Sequence, residues 1–243
     1  MFKNLIVIIP ARFGSKRLPG KPLRMINKKP LVYLTWKNII DVVEKKFVYV
    51  ATDSNKIVNT CKSYGIQTLM TSSKCKTGSD RVAEASKIFK KKTIISVQGD
   101  EPFLSTKAIK RFIKFSLRNK HYVTNGFSKI KNDSEFFSLN IPKVVMNSDN
   151  SLLYMSRSPV PGSKKKIFNK SFKQICMYGF PTKILNKYYG KNKSKSHLES
   201  FEDIEILRFI ENGINVKMIE VEDNVMSIDT LKDLQLANKL KKN

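Results

Sequence analysis

Leu5-Ile-Val-Ile-Ile-Pro-Ala-Arg-Phe-Gly-Ser-Lys-Arg-Leu-Pro-Gly-Lys-Pro22 is the stretch that decides the fold. It opens on a continuous aliphatic, mostly β-branched run, Leu5–Ile9, ended by Pro10. A strand with one wet face would alternate apolar and polar residues; an unbroken run reads as a strand buried on both faces, the parallel-sheet type. Phe47–Ala51 and Thr93–Gln98 read the same way, and Ile66–Met70 is a shorter candidate. Between them lie helical stretches, Leu31–Glu44, Asn55–Ser63, Arg81–Lys90 and Thr106–Leu117. Strands alternating with helices predict βαβ units with right-handed crossovers, hence an α/β fold on a mostly parallel sheet.

From His121 to about Tyr178 the rhythm changes. Short β-rich pieces (Tyr122–Ser128, Lys143–Met146, Leu152–Ser156) are broken by Pro142, Pro159, Pro161 and Gly162. They predict a small β-rich lobe, about 121–178, on a single domain spanning 1–243. Helices are expected at Thr182–Tyr189 and about Leu198–Glu211, the second opened by the capping-box pattern Ser196-x-x-Glu199 and closed at Asn212-Gly213. Val216–Val221 reads as a strand, and a last helix starts near Thr230.

Composition bounds the function. The chain has 243 residues, 41% of them apolar, and a net charge of +26. No aliphatic run approaches the ~20 residues of a membrane span. The first residues carry no signal-peptide cleavage pattern. Cys61, Cys75 and Cys176 are odd in number and far apart, which fits neither a disulfide framework nor a zinc knuckle and suits a reducing cytoplasm. The charge is carried by 38 Lys against 8 Arg. Specific phosphate and base recognition recruits the Arg fork, so scattered lysines argue for a basic surface that steers acidic ligands rather than for a nucleic-acid-binding protein.

Five segments could carry chemistry. The loop after the first strand holds Arg12, Gly14, Ser15, Lys16, Arg17, Gly20 and Lys21 and no acid. Open α/β sheets bind ligands at the carboxyl ends of their strands, and glycines with flanking cations suit a polyphosphate. The spacing is neither a P-loop nor a dinucleotide fingerprint; a solvated basic loop is the plain alternative. Gln98-Gly-Asp-Glu-Pro102 ends another strand, so Asp100 points at the same rim. Mg²⁺ takes one or two carboxylates plus phosphate oxygens, a role open to Asp100, with an ordinary turn acid as the other reading. Thr77-Gly-Ser-Asp-Arg81 opens a helix, with Ser79 or Asp80 as its cap or Gly78 set against a nucleoside. Glu199, Glu202, Asp203 and Glu205 form an acidic cluster in which Glu202 and Glu205 share a helix face. Asp229 precedes the last helix as a cap or a metal ligand. Neither His121 nor His197 sits in a motif, and no GxSxG or HExxH occurs. Polyphosphate chemistry run by metal and cations is therefore better supported than nucleophile–base catalysis.

Read together, these landmarks resemble the 3-deoxy-manno-octulosonate (KDO) cytidylyltransferase family. They are Ile8–Leu23, Ala51-Thr-Asp53, Thr77–Arg81, Val97–Pro102, Leu153–Arg157, Tyr178-Gly179, Leu198-Glu199 with Glu202 and Glu205, and Ile228-Asp-Thr230. They come in the family's order over nearly the whole chain. The resemblance implies a Rossmann-like nucleotide-diphospho-sugar transferase fold and the reaction of CTP with a 2-keto sugar acid to give the CMP-sugar and pyrophosphate. It implies Arg12, Lys21 and Asp100 as the catalytic groups, and Arg12, Gly14, Ser15, Lys16, Lys21, Gly78, Asp80 and Arg81 around CTP. Gln98, Arg157, Gln174, Tyr178, Glu202 and Glu205 would line the sugar, and Asp100 and Asp229 would hold Mg²⁺. A cytoplasmic homodimer joined through the Phe127–Gly162 lobe is the family precedent, with no nucleic acid or membrane as partner. Four positions depart from the pattern. Gln174 replaces a His, Gly162 an aromatic, Ser227 a Gly and Leu231 a Pro. They fall in or near the sugar side and the metal loop, which keeps another acidic sugar, an 8-amino-KDO or a nonulosonic acid, as the rival substrate.

Overall fold

The computed structural model describes residues 4–15, 17–90, 93–165, 167–168, 170–221 and 227–240. β1 (Leu5–Ala11) is buried at every position, as its unbroken aliphatic run requires. A loop and a 3-10 turn (Lys21–Leu23) lead to a small hairpin, β2 (Met25–Ile26) and β3 (Lys29–Pro30). Helices and strands then alternate: α1 (Leu31–Ile40), β4 (Val48–Thr52), α2 (Asn55–Ser63), β5 (Gln67–Met70), α3 (Gly78–Ser86), β6 (Thr93–Val97) and α4 (Thr106–Arg118). There follow β7 (Val123–Lys129), α5 (Asp133–Phe137), β8 (Lys143–Met146), β9 (Leu152–Ser156) and the long β10 (Phe172–Pro181). The chain closes with α6 (Thr182–Tyr188), α7 (His197–Glu202), α8 (Leu207–Glu211), β11 (Val216–Glu220) and α9 (Leu231–Leu240).

The main sheet runs in the order β11-β7-β10-β6-β1-β4-β5. β1 is parallel to both β4 and β6, β4 to β5, and β11 to β7; β10 is antiparallel to β6 and β7. The expected α/β architecture on a mainly parallel sheet is thus the observed one. Helices cover both faces. Val7 and Ile9 pack in one core with α1, α2 and α4, while Ile6 and Ile8 pack in the other with α3, α6 and α8. α4 shows why a basic segment still forms a core helix. The Ser105 hydroxyl caps it by accepting from Ala108 N at 3.0 Å, and its Ala108, Ile109, Phe112 and Ile113 are buried while the cations face out. Each such fully buried large side chain stabilises the fold by about 1.5–3 kcal/mol.

Three local expectations change. The stretch 121–178 is less separate than its composition suggests, because β7 and β10 are strands of the main sheet and only the β8–β9 hairpin departs from its path, pairing through β8 with the start of β10. The single helix expected over 198–211 is two short helices, broken where Asp203 adopts a left-handed conformation (φ 49°). Asp tolerates that conformation because its short polar side chain can bond locally, and the break lets Ile204 and Ile206 turn into the core. Glu202 and Glu205 therefore do not share a helix face. α3 begins at Gly78 with Thr77, not Ser79 or Asp80, as its cap: Thr77 Oγ1 accepts from Asp80 N at 3.1 Å, and the Asp80 carboxylate accepts from Thr77 N at 3.1 Å.

Candidate active site

The loops after β1 and β6 stand side by side because those strands are neighbours in parallel, which fixes both at one rim of the sheet. Within residues 12–20, Arg12, Phe13 and Gly14 are exposed and Ser15 half-buried, and a Cβ on Gly14 would meet open space. Gly20 takes φ +65°, which lets the loop fold back so that its N–H donates to Phe13 O at 3.1 Å. Lys16 lies outside the described residues. Leu18 anchors the loop in a small apolar cluster with Ile26, Leu31, Ile228, Leu234 and Ala237. That cluster brings the start of the chain against the segment before α9.

Two carboxylates meet one ammonium there. Lys21 Nζ donates to Asp100 Oδ2 at 2.7 Å and to Asp229 Oδ1 at 2.9 Å. A backbone bond from Ile228 N to Asp100 O at 2.9 Å sets the two acidic segments side by side. Burial works against the Lys21 charge, and the two carboxylates overcome it and raise its pKa. Arg17 adds a second cation, donating to Asp229 Oδ1 at 3.0 Å and to Asn140 Oδ1 at 3.2 Å. Asp229 is not the cap of α9. Thr230 takes that place, exchanging bonds with Asp233.

The other oxygen of Asp100, Oδ1, is buried and has no hydrogen-bond partner among the described residues. An orphaned carboxylate oxygen beside a second carboxylate suits a hard divalent cation. Among the described residues no cluster of three or more His, Cys, Asp or Glu forms a closed metal cage. Mg²⁺ is commonly held by one or two carboxylates, with phosphate oxygens and water completing its shell, so Asp100 and Asp229 fit that ion. Glu101, 1% exposed, lies behind them; burial pushes its carboxyl up to about 8, with the Asp100 charge adding to the rise and a bond from Ser227 opposing it.

The start of α3 forms the next wall. The Glu205 carboxylate accepts from Gly78 N at 2.9 Å and from Ser79 N at 2.7 Å, and burial raises its pKa. A protein carboxylate thus already holds the first N–H groups of this helix. Gln98 lies directly over Gly78: a Cβ there would stand 2.7 Å from Gln98 Nε2. Asp80 and Arg81, expected around CTP, are buried in internal struts. Asp80 accepts from Arg208 Nη1 and Gly190 N, both at 3.1 Å, and Arg81 donates to Asp53 Oδ2 at 2.7 Å. Both groups set the position of α3, and the side chains left facing the rim are Gln98 and the first loop.

The residues expected to line the sugar are equally tied. Glu202 Oε1 accepts from Ser156 Oγ at 2.7 Å and its Oε2 from Arg157 N at 2.8 Å. The Arg157 guanidinium donates to four backbone carbonyls, those of Leu139, Asn140, Glu202 and Asp203. Gln174 is nearly buried and donates to Asn125 Oδ1 at 3.0 Å; Asn125 in turn donates to Ile175 O at 3.1 Å and Met177 O at 2.7 Å, filling a bulge in β10. The bulge turns the backbone so that Cys176 O accepts from Gln98 N at 3.1 Å. Tyr178 is buried, stacked on Phe180 with ring centroids 5.8 Å apart. Gly162 has open space where a side chain would stand.

Residue-type reasoning overlooked Arg208, which joins Asp80 to Glu199 by a bidentate pair (Nε to Oε2 2.6 Å, Nη2 to Oε1 2.9 Å) and lies over the Tyr189 ring at 3.9 Å. Its signal was rarity. In a chain that uses Lys almost everywhere, an Arg marks a place where a fork is needed.

Residues 6–222 match the family described as Cytidylyltransferase. The chain is 36% identical over 248 residues to a 3-deoxy-manno-octulosonate cytidylyltransferase of Thermodesulfovibrio yellowstonii, covering 96% of each. It is 34% identical to the protein of that name from Elusimicrobium minutum, covering 99% of each. Among solved structures it is similar to CMP:2-keto-3-deoxy-manno-octonic acid synthetase complexed with CTP, with a TM-score of 0.88, 28% identity and 98% coverage of both chains.

Proposed function

Because the chain belongs to the cytidylyltransferase family, we propose that it transfers CMP from CTP to the anomeric hydroxyl of KDO, releasing pyrophosphate, for lipopolysaccharide biosynthesis. The observation that carries the reading is the Lys21 ammonium shared by Asp100 and Asp229 at the rim where the basic loop ends. It supports the reading because cations that suit a triphosphate and carboxylates that suit a metal lie within one hydrogen bond of each other.

In the reaction the anomeric oxygen attacks the α-phosphorus, a new P–O bond forms, and the bond to the pyrophosphate oxygen breaks. Most of the catalysis is then positioning and charge neutralisation. Arg12, Lys21 and Arg17 bind the triphosphate and stabilise the charge on the departing pyrophosphate; Gly14 and Ser15 let its oxygens approach the backbone. Asp100 and Asp229 would hold Mg²⁺, which when bound neutralises phosphate charge and acidifies the sugar hydroxyl. Behind that pair, burial and the Asp100 charge raise the pKa of the Glu101 carboxyl. Gln98, over Gly78, would orient the acceptor, and among the described residues Arg157 keeps one of its five N–H donors beyond the four bonds it makes. The work is cytoplasmic, where CTP is found. We also infer a homodimer joined through the lobe, supported by the exposed Phe137 (44%), Leu139 (63%), Leu153 (54%) and Ile167 (55%) that fall there.

Pyrophosphate release tests the reading, with each nucleoside triphosphate offered against KDO, its 8-amino analogue and sialic acid. CTP with KDO is expected to be the best pair and to require Mg²⁺. A preference for sialic acid, or equal use of ATP and CTP, would refute it. Light scattering on the purified protein tests the dimer, and a monomer mass at micromolar concentration rejects it.

A further inference from the structure

Lys143 is 0% exposed, yet no acid among the described residues forms a salt bridge with it. Its ammonium donates instead to three backbone carbonyls, Ser138 O at 2.7 Å, Ile141 O at 2.8 Å and Arg157 O at 2.5 Å. Arg157 Nη1 takes the two carbonyls between, Leu139 O at 3.0 Å and Asn140 O at 3.4 Å. Four consecutive carbonyls, 138 to 141, thus all point at two cations. The same Arg157 reaches Glu202 O and Asp203 O on the far side, and Asn140 Oδ1 accepts from Arg17 of the first loop. A loop without regular structure is in this way tied to the acidic corner at 202–203 and to the basic loop.

Carbonyl oxygens carry partial negative charge. Four of them bunched beside a bound carboxylate would repel it. Two cations turned onto those oxygens cancel the repulsion and fix the loop's shape. An apolar residue of equal length would take the ammonium donor from all three carbonyls, leaving Ser138 O only the bond from Ile141 N at 3.3 Å.

We propose that Lys143 is a positioning residue for acceptor binding, which with Arg157 holds the carbonyls of 138–141 away from the acidic sugar and sets that loop as a wall of its pocket. This role presupposes that Arg157 borders the acceptor, as the proposed function has it.

The test is Lys143→Met, with steady-state kinetics in which CTP and KDO are varied separately. The KM for KDO is expected to rise about tenfold or more, as for a site that loses orientation, with the KM for CTP changed by less than about twofold. A rise of both constants together, or of neither, overturns the proposal. Should the Met variant not fold, Lys143→Gln, which keeps amide donors without the charge, is expected to show the same split at smaller size. Hydrogen exchange supplies a readout independent of turnover. Amides of 139–141 are expected to exchange faster in the variant while those of β1 and α3 do not, and unchanged exchange in the loop also overturns the proposal. A wild-type protein that prefers another acidic sugar refutes KDO as substrate alone; the KM split, measured on that sugar, then decides the role of Lys143.

Discussion

Replacing Arg208 by Met probes the strut that holds the start of α3 in place. The guanidinium is buried between Asp80 and Glu199, both of which are 0% exposed, and it also donates to Tyr188 O at 2.9 Å. Met keeps the length and the packing against Tyr189 but supplies no donor. Asp80 retains bonds from Gly190 N and Thr77, and Glu199 retains one from Ser196 N, so neither loses every partner, but both lose their counter-charge. Removing one partner of a buried ion pair costs about 3–5 kcal/mol. For a chain of 243 residues each kcal/mol lowers Tm by roughly 2–4 °C, so the expected fall is about 6–20 °C. Thermal unfolding at pH 7 followed by circular dichroism measures it. The double variant Arg208→Met/Glu199→Met removes one of the stranded charges. It is expected to lie above the sum of the single losses by at least about 1 kcal/mol, because contacting residues couple. A fall of only a degree or two, or strict additivity, would mean that the three groups are not one electrostatic unit and that the reasoning is wrong.

Further outcomes are expected at the rim. Asp100→Asn and Asp229→Asn should each fold with a near-native Tm and lose turnover by about hundredfold or more, and EDTA should abolish wild-type activity; near-normal rates in both variants would leave these acids as ordinary turn and loop groups. Gly78→Ala puts a methyl 2.7 Å from Gln98 Nε2 and 3.2 Å from Glu205 Oε1. Stability should change by less than about 1 kcal/mol, since Ala favours the helix and Gln98 can swing aside, while kcat/KM for the sugar falls up to about tenfold; unaltered kinetics would remove Gln98 from the acceptor site. Burial pushes the thiols of Cys61 and Cys75 up to about 12 and that of Cys176 well above its ordinary value. A thiol reagent at pH 8 should therefore find no fast-reacting cysteine in the native protein and all three in urea; a rapid native reaction contradicts that burial.

Patterns written in local sequence were legible before any coordinates. The aliphatic runs of β1, β4 and β6 carry their burial in their composition, and α2, β8 and β9 fall on their expected residues. Asp100 could be placed beside the first loop because a residue just past a parallel strand has only one rim to occupy. What escaped depends on partners far along the chain. The break between α7 and α8 is invisible in a segment that reads as one amphipathic helix, since it is driven by Ile204 and Ile206 turning inward and by Glu205 reaching α3, 126 and 127 residues earlier. Asp80 reads as a helix cap or a ligand contact from its neighbours, but its other oxygen is claimed by Arg208, 128 positions on. Lys143 looked like one more surface lysine in a lysine-rich chain, and no local pattern announces that its ammonium is inside.

Leu18 and Ile228 share one small apolar cluster, and Lys21 meets Asp229 across 208 positions of sequence. The timing of synthesis follows from this. While the polypeptide is still being made, β1, β4 and β6 can pair, but the basic loop lacks the Ile228, Leu234 and Ala237 side of the cluster that anchors Leu18. The second carboxylate arrives only when the segment holding Ile228 and Asp229 has left the ribosome and α9 has docked. A nascent chain stalled before that point has half of the acidic pair and half of the cluster behind it, so the rim is completed with the last helix rather than growing with length.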